Sequence, residues 1–205
     1  MIGDKLIKVC GMTLGENIRE VESLGVDLIG NIFYPKSPRC VQSVPDYLPA
    51  AAARVGVFVD VPVEEVMVQD IRYRFGYVQL HGNETPDYCC TLKNLGFKLI
   101  KAFSISEAAD LEKTSQYEGL CEYYLFDTKT PGYGGSGNSF DWTVLDAYSG
   151  RTPFLLSGGI GPDSAAALKA FSHHALAGYD LNSRFETAPG VKSAGQIKTF
   201  LEKLK

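Results

Sequence analysis

Lys5-Leu6-Ile7-Lys8-Val9-Cys10-Gly11-Met12-Thr13 is the stretch that separates two architectures. It reads as a short apolar strand, Lys5–Val9, followed at once by a turn and the start of a helix. Outward from it, seven further short apolar runs recur: Val26–Phe33, Arg54–Val59, Tyr77–Leu80, Phe97–Phe103, Tyr123–Phe126, Phe154–Ser157 and Ala175–Leu181. Several lack period-two alternation, as parallel strands covered by helices do. Eight strands alternating with helical patterns fit an open doubly wound sheet or a closed barrel. The open sheet often turns after its first strand through G-x-G-x-x-G, and Cys10-Gly11-Met12-Thr13 carries no such fingerprint. The expectation is an α/β chain forming a single (β/α)8 TIM barrel of eight parallel strands. It would be one domain over residues 1–205, at the small end for that fold.

The segments between the strands carry helix punctuation. Thr13 and Glu16 have capping-box spacing ahead of Leu14, Ile18 and Val21, with Gly25 at the stop. Asp60 and Pro62 mark a second helix start, with Gly76 closing it. Thr85-Pro86 opens a third helix, which Gly96 ends. Ile197, Phe200, Leu201 and Leu204 follow i, i+3, i+4, i+7 spacing in the last helix.

Composition limits the partners. Hydrophobic residues make up 45% of the chain, enough for a full core. The net charge is −4 and no basic stretch occurs, which argues against nucleic acid or an anionic membrane as partner. An anionic substrate needs only local donors and stays open. The five cysteines are Cys10, Cys40, Cys89, Cys90 and Cys121, without structural-zinc spacing. No signal peptide and no apolar run of membrane-spanning length is evident, so a reduced cytoplasm is expected.

If the chain is a barrel, its chemistry lies at the C-terminal ends of the strands. Cys10 ends the first strand. It suits a small core residue, or a thiolate base at the barrel mouth whose setting Lys8, on the same side of the strand, helps define. Asp127 ends the sixth strand, as an N-cap or loop anchor, or as an acid whose pKa burial raises. The run Thr130-Pro131-Gly132-Tyr133-Gly134-Gly135-Ser136-Gly137 is a flexible loop or a lid, with Gly135 facing the site. Gly158 and Gly159 after strand seven, and Asn182 and Ser183 after strand eight, occupy the loops where barrels often hold phosphate. Asp180 belongs to the same eighth-strand end. Arg39, in the stiff Pro35-Lys36-Ser37-Pro38-Arg39, is a solvated surface residue or a guanidinium aimed at a carboxylate. His81 is a polar lining residue, and His173-His174 read as a surface helix end. No metal-ligand cluster is recognisable, so no metal is expected.

Taken in order, these segments resemble the phosphoribosylanthranilate isomerase family along the whole chain. They are Lys8–Thr13, Phe33–Arg39, Val55–Val59, Val78–Gly82, Asp127 through Gly134–Gly137 to Phe140-Asp141-Trp142, Ser157–Gly159 and Pro189–Lys192. The resemblance implies an Amadori rearrangement of an aminoaldose, N-(5-phosphoribosyl)anthranilate, to an aminoketose without a cofactor. It places Cys10 as general base, Asp127 as general acid and Arg39 on the anthranilate carboxylate. Gly159, Asn182 and Ser183 fall at the backbone phosphate site, and Asp180 at a position often assigned to the active site. The implied partner is a small phosphosugar, for a monomer or a homodimer.

Two departures stand out. Asn31 replaces a usual bulky apolar residue in strand two. Asn182-Ser183-Arg184 replaces a commoner Ser-Ser-Gly, and an arginine at a usual glycine restricts φ. Two other readings remain open. One is a histidine-pathway aminoaldose isomerase, a family with aspartate at the Cys10 position. The other is a non-catalytic phosphosugar-binding domain.

Overall fold

The eight apolar runs all enter one parallel sheet that closes on itself in sequence order. The computed structural model describes residues 3–128 and 142–205. Its strands are β1 (Leu6–Val9), β2 (Leu28–Ile32), β3 (Ala53–Phe58), β4 (Tyr77–Leu80), β5 (Leu99–Ile105), β6 (Tyr123–Thr128), β7 (Phe154–Ser157) and β8 (Leu176–Leu181). Closure comes from β1 pairing with β8, Leu6 opposite Gly178 and Lys8 opposite Asp180. Alternate residues fill the lumen, where Leu28, Val55, Val57, Ile100, Leu125 and Leu155 pack together. The opposite faces of the strands pack outward under the helices. Ile7, Val9, Ile29, Phe126 and Phe154 meet Ile18, Val21, Ile197 and Phe200 in the larger outer cluster.

The helical layer is less regular than the sequence suggests. Helices α1 (Gly15–Glu22), α2 (Val63–Tyr73), α3 (Pro86–Asn94), α4 (Ala165–Ala170) and α5 (Ala194–Leu204) are joined by 3₁₀ segments at Ala108–Tyr117, Trp142–Ala147 and Ser183–Phe185. Residues 33–52 link β2 to β3 without a helix. Pro35, Pro38, Pro45 and Pro49 in this link each lack the N–H a helix interior needs. The link is instead tied to α1, whose Glu22 Oε1 accepts from the amides of Ala50, Ala51 and Ala52 at 2.7–2.9 Å. A short hairpin, β9 (Glu186–Ala188) with β10 (Val191–Lys192), follows β8.

Two punctuation readings need correction. Thr13 does not cap α1: the N-cap is Leu14, without a side-chain bond, and Thr13 Oγ1 donates instead to the Gly190 carbonyl at 3.1 Å. Nor do Asp60 and Gly76 bound α2. Its N-cap is Pro62, and it ends at Arg74, held in the left-handed region at φ 51°. Asp60 Oδ1 accepts from the Asn83 amide, and the Gly76 amide donates to Arg54 as β4 begins.

Thr85 does cap α3, its side chain accepting from the Tyr88 amide, with Pro86 in the first turn. Thr85→Ala should therefore cost about 1 kcal/mol of stability. An unchanged urea midpoint would show the cap to be idle. No helix among the described residues is long and apolar enough to cross a membrane.

Candidate active site

The C-terminal ends of the strands open on a cavity of ≈ 780 Å³, a size suited to a small-molecule ligand. Cys10, Arg39, His81, Asp127, Gly158, Gly159, Asp180, Asn182 and Ser183 all border it, contributed by strands or loops from around the barrel. Lys8 lies beneath, fully buried. Gly135, with the rest of the glycine-rich segment over 130–137, lies outside the described residues. His173 and His174 stand ahead of β8, away from the strand C-termini. His173 is half-buried and its Nδ1 and Nε2 are engaged by the Ala175 amide and the Tyr148 carbonyl.

Register explains the floor of the site. Lys8 and Asp180 face each other across the β1–β8 seam, with Lys8 Nζ donating to Asp180 Oδ1 at 2.9 Å and both side chains shielded from water. Burial pushes the Lys8 ammonium down, but the charges of Asp180 and Cys10 outweigh it, and the net shift is upward. Lys8 therefore remains a cation. Cys10, immediately past the end of β1, is the next inward residue. Opposite it, β2 carries Gly30, where a Cβ would stand 2.9 Å from Cys10 Sγ. The missing side chain gives the thiol its room in the lumen.

Burial pushes the Cys10 thiol up. Lys8 and Lys192 pull it back and Asp180 adds to the rise, leaving it above the ordinary thiol value. Because the thiolate is the nucleophile, Cys10 alkylation by iodoacetamide should accelerate with pH, with a midpoint higher than that of an exposed free thiol measured alongside it. Mass spectrometry of the Cys10 peptide reads this directly, and a midpoint at or below that of the free thiol would reverse the stated direction.

Arg39 is not a solvated surface residue. Its Nε and Nη2 donate to the two oxygens of Glu186 at 2.8 and 2.7 Å, a bidentate pair. Lys192, fully buried at its side chain, donates to Glu186 Oε1 and to Asn182 Oδ1. Burial opposes the Glu186 carboxylate, but the bonds from Arg39 and Lys192 prevail and hold its carboxyl below the usual range. Burial also pushes the Lys192 ammonium down, and Glu186 restores only part of that. Of the five guanidinium N–H groups, two are committed to Glu186 and three remain for a ligand. Sequence reasoning does not single out Glu186, and it reaches Lys192 only as the end of a motif. A lysine two residues past a Pro-Gly turn has no sequence signature of burial.

On the other side of the cavity, Gln79 Nε2 donates to His81 Nδ1 at 2.9 Å, which places a neutral ring's proton on Nε2. That nitrogen stands 3.6 Å from Asp127 Oδ2. Asp127 is 34% exposed, so the burial expected at the end of β6 is not found among the described residues. Gln79, reached in the sequence only as part of the Val78–Gly82 motif, is buried, and its Oε1 has no hydrogen-bond partner among the described residues.

After β7, Gly158 and Gly159 take φ of 84° and 68°, consecutive left-handed residues that turn the backbone across the barrel mouth. Nothing lies within 4 Å of where a Gly159 Cβ would be. The expected restriction at Arg184 does not arise. Among the described non-glycine residues, positive φ occurs only at Asp60 and Arg74. Asn31 is accommodated by donating from Nδ2 to the Met12 carbonyl at 2.8 Å, though its buried Oδ1 is left without a partner among the described residues. Among the described residues, no group of three or more His, Cys, Asp or Glu is arranged to hold a metal ion.

The family model described as N-(5'-phosphoribosyl)anthranilate isomerase matches residues 7–203. A protein of that name from Phocaeicola vulgatus is 49% identical over 200 residues, covering 98% of each chain. Among solved structures, the phosphoribosyl anthranilate isomerase of Thermotoga maritima superposes with a TM-score of 0.83 at 32% identity, over 98% of each chain. Another structure of a phosphoribosyl anthranilate isomerase, in complex with reduced 1-(o-carboxyphenylamino)-1-deoxyribulose 5-phosphate, gives 0.81 at 28% identity, again over 98% of each.

Proposed function

The chain belongs to the N-(5'-phosphoribosyl)anthranilate isomerase family and catalyses that aldose-to-ketose isomerisation of tryptophan biosynthesis, and we propose that it does so by general acid–base catalysis with Asp127 as acid and Cys10 as base. The observation that carries this reading is one cavity with a thiol set over a buried cation on one side and a carboxyl group on another.

The substrate spans the mouth. Its phosphate lies on the turns at Gly158-Gly159 and Asn182-Ser183, and its anthranilate carboxylate meets the N–H groups of Arg39 that Glu186 leaves open. The aromatic ring lies along Ile32, Val57 and Tyr34, which border the same cavity. Asp127 protonates the ribose ring oxygen as the C1–O bond breaks, leaving an iminium ion at C1. His81 Nε2 faces the Asp127 carboxyl at 3.6 Å. The iminium is an electron sink that acidifies the C2 proton, and the Cys10 thiolate removes it. The enolamine then gains a proton at C1 and loses one from the C2 hydroxyl to become the ketone.

The raised Cys10 thiol fits this order of events. In the free protein Lys8 and Lys192 only partly offset burial. The iminium adds a positive charge beside the thiol, so the thiolate is favoured when there is a proton for it to take. Asp180 keeps Lys8 charged and aimed beneath it.

The reaction needs neither metal nor organic cofactor. The protein works in the cytoplasm on a small phosphosugar, as a monomer or homodimer, without nucleic acid or membrane. The test is turnover: purified protein mixed with phosphoribosylanthranilate in excess chelator should consume it at the untreated rate. Loss of activity with chelator and recovery with a divalent ion would overturn the cofactor-free mechanism. Absence of turnover under any condition would leave a binding domain.

A further inference from the structure

Two guanidinium groups border the main cavity, and they differ in one respect. Arg39 is committed to the Glu186 carboxylate. Arg184 has no carboxylate partner among the described residues. It sits on the 3₁₀ turn Ser183–Phe185 that follows β8, exposed to solvent. Its stem is nevertheless placed. It reaches across to the β7 loop and covers Gly161, where a Cβ would stand 2.9 Å from Arg184 Cδ and 3.7 Å from Nη1. Gly161 thus leaves the space through which this arginine spans from one phosphate-type loop to the other. The Gly158-Gly159 turn and the Asn182-Ser183 segment border the same cavity.

An anion on backbone N–H groups alone is held by partial charges. A guanidinium on the rim adds a full charge and a planar fork that matches phosphate oxygens. The Asn182 side chain can offer only the N–H groups of a neutral amide, its Oδ1 already accepting from Lys192. We infer that Arg184 is a phosphate-binding side chain, which clamps the substrate's 5'-phosphate, a dianion, over the β7–β8 turns. The inference rests on the placement of phosphate at those turns proposed above and adds to it a charged contact outside the backbone cradle. The residue positions the substrate and takes no part in proton transfer.

The probe is inorganic phosphate as competitive inhibitor, measured alongside the steady-state constants for phosphoribosylanthranilate. Arg184→Met keeps a stem over Gly161 and removes the charge. It should raise both the phosphate inhibition constant and KM roughly tenfold while kcat stays within about twofold. Arg184→Lys should recover part of the loss, and the gap between wild type and Arg184→Met should narrow at high salt, as a solvent-exposed charge requires. A stem that only packs would leave the phosphate constant insensitive to charge and salt. If phosphate inhibits the wild type and Arg184→Met equally, the backbone turns hold the anion and the arginine role is wrong. If phosphate does not inhibit the wild type competitively at millimolar concentration, the placement of phosphate fails and the clamp fails with it.

Discussion

Arg39→Ala lowers kcat/KM by about 2–5 kcal/mol, a loss of roughly 30-fold to several thousand-fold, carried mainly by KM. The magnitude follows from removing one partner of a charge pair in a part-buried site, here the pair with the substrate carboxylate. The free protein makes the argument sharper. Arg39 is already fixed by two bonds to Glu186, so its remaining N–H groups are aimed before substrate arrives. Glu186 does not lose all support when Arg39 is removed, because Lys192 and the Gly190 amide still donate to it. Arg39→Lys restores only part of the activity, since an ammonium cannot serve Glu186 and a substrate carboxylate in the same fork geometry. Glu186→Gln separates binding from scaffolding. It leaves the guanidinium in place with a weaker tether and should cost less than Arg39→Ala. Unchanged kcat/KM in Arg39→Ala would reduce Arg39 to an anchor for Glu186.

How far the sequence reaches is clearest at particular residues. The strands are legible because each is a short apolar run, and all eight form within a few residues of their expected limits. The parallel closure follows from them, and with it the rule that sends attention to Cys10, Asp127 and the glycine turns. Helix boundaries are less legible. Thr13 has the spacing of a cap, yet its hydroxyl finds the Gly190 carbonyl, a contact 177 residues away that no local pattern contains. The left-handed helix stop at Arg74 is hidden for a different reason, since the nearby Gly76 offers the commoner residue type for that conformation.

The site shows the same division. Cys10 and Lys8 share a face by strand alternation alone, so their proximity is readable. The Lys8–Asp180 pair needs the β1–β8 register, which exists only after the barrel closes. Glu186 and Lys192 come from a hairpin that folds back under Arg39, and only the three-dimensional path joins them. Asp127 illustrates the limit from the other side: the apolar run before it implies burial, but the carboxyl emerges at the rim beside His81.

Cys10→Ala and Asp127→Asn should each lower kcat by roughly 10²–10⁴, the range for removing a positioned base or acid. Binding survives in both, because the Arg39 and phosphate contacts are untouched. The two losses arise at different steps. The carboxamide that replaces the Asp127 carboxyl has no acidic proton to give the ring oxygen, so the sugar stays closed. Without Cys10 the ring still opens, and the reaction stops at the iminium with its C2 proton in place. Cys10→Ser should be nearly as poor as alanine, since a serine hydroxyl is scarcely ionised near neutral pH even above a buried lysine.

The fate of a deuterium label at C2 of the substrate tests the assignment of Cys10 most directly. Wild-type protein should break the C2–D bond in every turnover, and the label should leave C2 at the rate of product formation. Cys10→Ala, under the same conditions and at saturating substrate, should retain the label at C2 with loss slowed by roughly 10²–10⁴. Loss of the label from Cys10→Ala at the wild-type rate would contradict the account, and Cys10 would then be a lumen residue packed against Gly30 with no part in the proton transfer.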